Sequence, residues 1–258
     1  MKTVIFAGGL GSRISEESHL KPKPMIEIGE KPIIWHIMKI YAHYGFNEFI
    51  ICLGYKGNSI KEYFMNYFIY SSDVTVDLGS NEIDIHRSRS ENFKITLVDT
   101  GLETKTAGRL QKIKKYITED NFMLTYGDGV SDIDLKKLVE FHFNHGKIAT
   151  VTAVRPNAKF GVLNSDEFGL VKGFVEKPKI SASRINGGFF VLRKEIFGLL
   201  DGDMEGIMWE EEPMRSLVDD DQLMAHNHDG FWKSMDILRD KVELEYLWKT
   251  TAPWKVWK

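Results

Sequence analysis

The stretch VIFAGGLGSR, residues 4–13, runs an apolar segment into Gly8, Gly9, Leu10, Gly11, Ser12 and Arg13. Glycines placed directly after a strand let backbone N–H groups come close to phosphate oxygens. Arg13 adds a planar, permanently charged fork suited to phosphate. The loop is not a Walker A loop, and its glycines do not match the dinucleotide pattern G-x-G-x-x-G. Taken alone it is equally an ordinary bend between strand and loop. The segment KPKP, about ten residues further on, moves the reading toward a polyphosphate site. Pro22 and Pro24 push Lys21 and Lys23 into extended conformation, where residues two apart share a face. Stiffening by proline also reduces the entropy lost in holding a lysine at a ligand.

Other chemically capable residues stand at the ends of apparent strands. Asp128 lies between Gly127 and Gly129, directly after the run NFMLTY, and should project at the carboxyl edge of a sheet. Magnesium takes oxygen ligands, commonly one or two carboxylates completed by phosphate oxygens, and Asp128 suits that use. The plainer alternative is a turn residue. Asp236 alone reads as a helix N-cap. Glu176 and Lys177, in FVEKP, end another apparent strand, where solvated charge at a hairpin end is the default. His226, His228 and Asp229 resemble a metal cluster, but the spacing fixes no third ligand. His142 and His145 read as interface or solvent-facing helix residues. No serine or cysteine has a recognisable base partner, which disfavours covalent catalysis.

These residues need a scaffold. The chain has 258 residues, 43% of them hydrophobic, enough to bury a proper core. Charged residues make up 28% and the net charge is −3. A general nucleic-acid binder carries a basic excess, so cations that grip an anion here must be local. The single cysteine, Cys52, excludes a disulfide within the chain and reads as a buried structural thiol. Glycine and charge interrupt the first apolar run, unlike a signal peptide. No apolar run reaches the roughly 18 residues of a membrane span. The expectation is a reduced, cytoplasmic protein.

Short apolar runs alternate with helical patterns through the first half. KTVIFA, EFIICL, KITLVD, NFMLTY and IATVTAV read as strands. KPIIWHIMKIYAHYG reads as a helix with Pro32 in its first turn and Gly45 as its stop. The pattern predicts an α/β fold: a doubly wound, mostly parallel Rossmann-like sheet whose crossovers gather ligand-binding loops on one edge. DVTVDLGSNEIDIHRSR alternates apolar and polar residues and predicts a projecting β-hairpin arm over 73–90, serving as a lid or a subunit contact. From Phe160 on, FGVLN, LVKGFVEK and INGGFFVLR predict a smaller antiparallel sub-lobe. A helix near WEEEPMRSLVDD, a strand at QLMAHNH and a closing helix from Asp236 follow. The reading is one domain over 1–258. Its nucleotide-binding core covers about 1–155, and a sugar-binding sub-lobe with the C-terminal elements covers about 156–258.

FAGGLGSR followed by KPKPM resembles the signature of the sugar-phosphate nucleotidyltransferases. The likeness extends over almost the whole chain, in EIGEKPIIWHIMKIY, GYKGNSIKEYF, ITLVDTG, TYGDGVSD, EKPK, INGGFFVL, GFWKSMDILRDKVELEYLW and APWKVW. The resemblance implies transfer of a cytidylyl group from CTP to α-D-glucose 1-phosphate, giving CDP-glucose and pyrophosphate for deoxysugar synthesis in bacterial surface polysaccharide. It implies that Phe6, Ala7, the loop from Gly8 to Arg13 and Gly127 hold the nucleotide. Arg13 and Lys23 would offset charge on the triphosphate and the leaving pyrophosphate. Asp236 would join Asp128 as a Mg2+ ligand. Lys177 would hold the sugar phosphate, offsetting its repulsion by the triphosphate, while Glu176 and Asn186 reach the sugar. TKTAGRL, with Thr104 and Arg109, would touch the base.

Cytosine presents O2 and N3 as adjacent acceptors that the paired donors of Arg109 could meet. Uracil and thymine carry hydrogen on N3, a mismatch worth roughly 1–3 kcal/mol by analogy with groove readout. Otherwise Arg109 reads as the exposed first turn of a helix. The family more often carries two glycines before this arginine, whereas here Ala107 precedes Gly108. In such a reaction placement and charge neutralisation dominate. The alternatives are the same reaction class with UTP, dTTP or mannose 1-phosphate, and a non-catalytic nucleotide-sugar-binding regulator. The missing fingerprint and the KPKP segment argue against a nicotinamide oxidoreductase. The arm and the aromatic tail LWKTTAPWKVW predict a homo-oligomer, and no nucleic-acid or membrane partner is expected.

Overall fold

The computed structural model describes residues 1–11, 14, 21–88, 90–156, 162–165, 168, 170–175 and 183–258. The chain enters through β1 (Thr3–Phe6), makes a short ladder of β2 (Glu27–Ile28) with β3 (Lys31–Pro32), and turns into α1 (Ile33–His43). β4 (Glu48–Leu53), α2 (Gly57–Tyr70), β5 (Ser72–Asp77), β6 (Glu82–Ser88), β7 (Lys94–Asp99) and α3 (Thr106–Lys112) follow. Next come β8 (Asn121–Tyr126), β9 (Gly129–Ser131), α4 (Leu135–His145) and β10 (Ala149–Val154). β11 (Val162–Ser165) and β12 (Val171–Val175) form a hairpin. β13 (Ile185–Arg193), α5 (Glu212–Asp219), β14 (Leu223–His228), β15 (Trp232–Ser234) and α6 (Leu238–Thr250) complete the order.

Seven strands make the central sheet, in the order β14-β10-β13-β8-β1-β4-β7. β13 runs antiparallel to both of its neighbours; the remaining pairs are parallel. Alternate residues of each strand point to opposite faces, and both faces are dry along the inner strands β1, β4, β8, β10 and β13. Ile5, Phe49, Ile51, Met123 and Val191 pack into one buried cluster beneath α1. Val4, Ile50, Cys52, Leu124 and Phe190 pack into another with Leu110, Ile113 and Trp209. This two-sided burial is why these strands read as continuous apolar runs. Cys52 is one of the buried residues, and burial pushes its thiol up to about 12.

Two expectations are corrected. INGGFFVLR does not belong to a separate sub-lobe: β13 inserts into the central sheet between β8 and β10, while β14, the strand expected at QLMAHNH, lies at its edge. Among the described residues between 156 and 193, the antiparallel unit off that sheet is the β11–β12 hairpin. A strand apolar at six successive positions, as β13 is from Gly187 to Leu192 by burial, fits the middle of a covered sheet better than a half-solvated hairpin. The aromatic tail is also turned inward. Trp254 is fully buried and stacks on Phe231 and Trp248, while Trp257 meets Trp35 edge to face. The arm does form, as β5 paired with β6, and its side chains Val76, Leu78 and Ile83 are exposed. No helix among the described residues is long and apolar enough to cross a membrane.

The tail closes over His36, on α1. His36 Nε2 lies 2.7 Å from the carbonyl of Ile28 and donates to it, so Nδ1 is the acceptor for the indole N–H of Trp254 at 3.4 Å. Burial lowers the imidazole from 6.5 to about 4. The folded protein therefore refuses a proton that the unfolded chain accepts. Stability from this site is complete above pH about 6.5 and is lost as pH falls toward about 4. In urea unfolding across this range, His36→Gln is expected to be less stable at pH 7 yet to lose less on acidification. Parallel losses in the two proteins would contradict the assignment.

Candidate active site

Lys23 is the hub. The segment after Pro22 does not stay extended: Lys23–Met25 forms a short 3-10 turn, with the N–H of Met25 donating to Pro22 O at 2.7 Å. The two lysines of KPKP therefore part company. Lys21 is exposed and pairs with Glu27, whereas Lys23 turns inward. Lys23 Nζ donates to Asp128 at 2.6 Å and to Asp236 at 2.9 Å. Burial works against its charge, but the two carboxylates outweigh that, and its pKa is raised.

A three-residue ladder brings the carboxylates together. β9 pairs antiparallel with β15, so that Gly129 faces Ser234, Val130 faces Lys233 and Ser131 faces Trp232. The N–H of Met235 then donates to Asp128 O at 2.9 Å, extending the pairing by one residue. Asp128 at the entry of one strand and Asp236 just past the exit of the other are thereby fixed side by side. Asp236 is not the cap of α6. Instead Asp240 Oδ2 accepts from the N–H groups of Asp236 and Ile237, at 3.0 and 3.1 Å. Ser234 donates its hydroxyl to Asp236 at 2.6 Å, and Lys233 Nζ lies 3.2 Å from Asp240. Ser234 and Asp240 were not read from the sequence; three-residue strands leave too short an alternation to detect.

Two cavities meet at these carboxylates. The larger, about 450 Å3, is lined by Phe6, Ala7, Gly8, Gly9, Leu10, Gly11, Lys23, Thr104, Arg109, Gly127, Asp128 and Asp236, all residues singled out in the sequence. The smaller, about 210 Å3, is lined by Asn186 with Gly187, Gly188 and Trp232, and shares Tyr126, Asp128 and Asp236 with the larger. Trp232 fixes the Gly187 carbonyl through its indole N–H at 2.7 Å. Ser12, Arg13, Glu176 and Lys177 lie outside the described residues.

The glycines have different tasks. A side chain at Gly127 would stand 2.7 Å from the Phe6 carbonyl and 3.0 Å from Pro24, so its absence lets β1, β8 and the Lys23 turn converge. Among the described residues nothing stands within 4 Å of a side chain built on Gly9, which is exposed. Gly8 makes room for the Arg109 guanidinium.

Arg109 is buried rather than on an exposed turn, at 4% exposure. Its Nη1 donates to Leu53 O, Thr100 Oγ1 and Gly101 O at 2.8, 2.6 and 2.9 Å. Its Nη2 donates to Gly8 O and Leu102 O at 3.0 and 3.3 Å. It ties the glycine loop, the end of β4 and the segment after β7 into one wall. Thr104, beside it, donates to Glu205 at 2.9 Å. The suggested metal cluster does not assemble: His228 faces Asp132 at 3.0 Å, while Asp229 pairs with Arg184 at 2.8 Å.

A model of nucleotidyl transferases matches residues 2–237. The chain belongs to the nucleotidyl transferase family. It is 53% identical to the glucose-1-phosphate cytidylyltransferases of Salmonella typhi and Salmonella typhimurium over 260 residues, covering all of each chain. It is 28% identical, over 70% of its length and 45% of the relative's, to a UTP–glucose-1-phosphate uridylyltransferase of Synechocystis. In fold it is similar to HddC of Yersinia pseudotuberculosis, with a TM-score of 0.68, 23% identity, and coverage of 96% of this chain and 99% of that one. Asp128 and Asp236 form a shared wall between the two cavities, so that each cavity can seat one reactant against the same two carboxylates.

Removing the ammonium while keeping the carboxylates leaves two partly buried anions face to face, which is strongly destabilising. Lys23→Met is expected to lose about 3 kcal/mol of unfolding free energy, measured with urea at pH 7. An unchanged midpoint would mean that the aspartates do not depend on Lys23.

Proposed function

We propose that this chain transfers a cytidylyl group from CTP to α-D-glucose 1-phosphate, releasing pyrophosphate and forming CDP-glucose. The observation that carries the reading is the meeting of Lys23, Asp128 and Asp236 where the two cavities join. CTP occupies the larger cavity, with its phosphates along Gly8–Gly11. Glucose 1-phosphate occupies the smaller, with Asn186 at its hydroxyls. The sugar phosphate oxygen then attacks the α-phosphorus at the junction, and pyrophosphate leaves in line.

Two carboxylate oxygens held on one nitrogen fit within the coordination shell of a single hard cation, and one ammonium against two carboxylates leaves a local excess of negative charge. That donor set suits Mg2+. Asp128 and Asp236 would hold it; when bound, it neutralises charge on the phosphate oxygens. Lys23 keeps the carboxylates converged before substrates arrive and offers its ammonium to the triphosphate. Arg13 and Lys177 are assigned the pyrophosphate and the sugar phosphate on the family resemblance, as is Glu176 the sugar hydroxyls. Thr104 and Arg109 form the base end. Of Arg109's acceptors, the carbonyls of Gly101 and Leu102 are the less buried, so exchange of those two for cytosine O2 and N3 is the route by which it reads the base. Self-association is assigned to the exposed apolar face of the β5–β6 arm.

A matrix of CTP, UTP and dTTP against glucose 1-phosphate and mannose 1-phosphate, read by pyrophosphate release, tests the reading. CTP with glucose 1-phosphate is expected to lead. Asp128→Asn should cut turnover by a factor of ~10^2 or more, in the range of other lost transition-state electrostatic contacts. Arg109→Ala should erode the preference for CTP over UTP about tenfold or more. Near-normal turnover in the first variant, or an unchanged preference in the second, would overturn those roles.

A further inference from the structure

A residue outside the smaller cavity takes part in ordering the polar groups that line it. Asn186 Oδ1 lies 2.8 Å from the N–H of Gly188. A backbone N–H can only donate, so this contact fixes which end of the amide is oxygen. Asn186 Nδ2 therefore faces the Tyr126 hydroxyl, at 3.2 Å. Tyr126 has one hydrogen to give, and its hydroxyl also touches Glu210. A carboxylate only accepts, so that hydrogen goes to Glu210 and Tyr126 receives one from Asn186. The order of donation is Asn186 to Tyr126 to Glu210, and each link polarises the next.

Neighbouring contacts keep the bridge in place. Tyr126 packs its ring against Phe6 and Phe190. Gly188, at a φ of +80°, leaves the space that this ring fills. The other carboxylate oxygen of Glu210 accepts from Thr106 at 2.9 Å, and the N–H of Trp209 donates to that same threonine at 2.7 Å. Burial and the Glu210 carboxylate both push the Tyr126 phenol upward, so it stays a neutral donor.

We infer that Glu210 is a positioning residue for the sugar phosphate: by taking the Tyr126 hydrogen it leaves the phenol oxygen to accept from Asn186, and so holds in place the amide N–H, whose end is set by Gly188, for a sugar hydroxyl. One Nδ2 hydrogen is committed to Tyr126; among the described residues the second meets no acceptor, which leaves it for the ligand. The hydroxyl it meets is thus read as an acceptor. A sugar that offers only a donor there, or nothing, is bound less well. The inference rests on the cytidylyl-transfer reading and on glucose 1-phosphate occupying the smaller cavity.

Steady-state kinetics on the full chain test it, with CTP and glucose 1-phosphate varied separately. Glu210→Ala is expected to raise KM for glucose 1-phosphate about tenfold, the loss of one well-placed hydrogen bond, with KM for CTP within about twofold, and Tyr126→Phe should raise the sugar KM alike. Glu210→Gln, whose amide oxygen still accepts from Tyr126, should stay near the parent. In an Asn186→Ala background the Glu210→Ala effect should vanish. Equal shifts in both KM values, an effect that persists without Asn186, or an unchanged sugar KM would overturn the bridge while leaving the reaction intact. If the parent chain forms no CDP-glucose, the reading of the reaction falls, and the bridge falls with it.

Discussion

Two carboxylates placed close enough to share one ammonium repel each other, and much of this structure exists to hold them there. Asp128 and Asp236 are more than a hundred residues apart in the chain, yet both lie on Lys23 Nζ. Backbone pairing supplies the constraint. The β9–β15 ladder fixes the strands that carry them, and the hydroxyl of Ser234 and the carboxylate of Asp240 then fix Asp236 itself. Lys23 screens the repulsion and, in turn, is kept charged by it. Each member of the trio is tolerable in a partly buried place because the other two are present.

The sheet determines what meets this trio. Parallel β1 and β8 end side by side, so the glycine loop after β1 and Asp128 after β8 emerge at one edge. Insertion of antiparallel β13 beside β8 brings Asn186 and Gly187 to the same edge from the opposite chain direction. One wall of carboxylates thus serves two cavities, and a reaction between two anions needs such an arrangement. In the proposed reaction each reactant would be seated against its own lining, with charge concentrated where the two meet.

Much of this was legible in the residues. The apolar runs announced the covered strands, Gly45 follows the end of α1 as expected while Pro32 stands just outside its first turn as the extended N-cap, and most of the singled-out residues that the structure describes line one of the two cavities. The failures have physical reasons. KPKP was read by its local preference, but the ion pair of Lys23 and the 3-10 turn prevailed over it. β13 carries an apolar pattern that fits either a hairpin or a sheet interior, and only long-range pairing decides between them. Arg109 gave no sign in sequence that its donors would be spent on backbone carbonyls, because those acceptors come from three separate segments. Glu210 and Tyr126 were invisible for the same reason: hydrogen bonds between distant residues leave no periodicity.

The space Lys23 holds between Asp128 and Asp236 is proposed as the reaction's cation site. The most direct measurement is a crystal structure of the chain with Mn2+ and CDP-glucose, with the metal located by its anomalous scattering. The account requires a single strong peak bridging Asp128, Asp236 and the nucleotide's phosphate oxygens, with the Lys23 ammonium moved onto phosphate. A peak elsewhere, with the Lys23 ion pairs undisturbed, would contradict it.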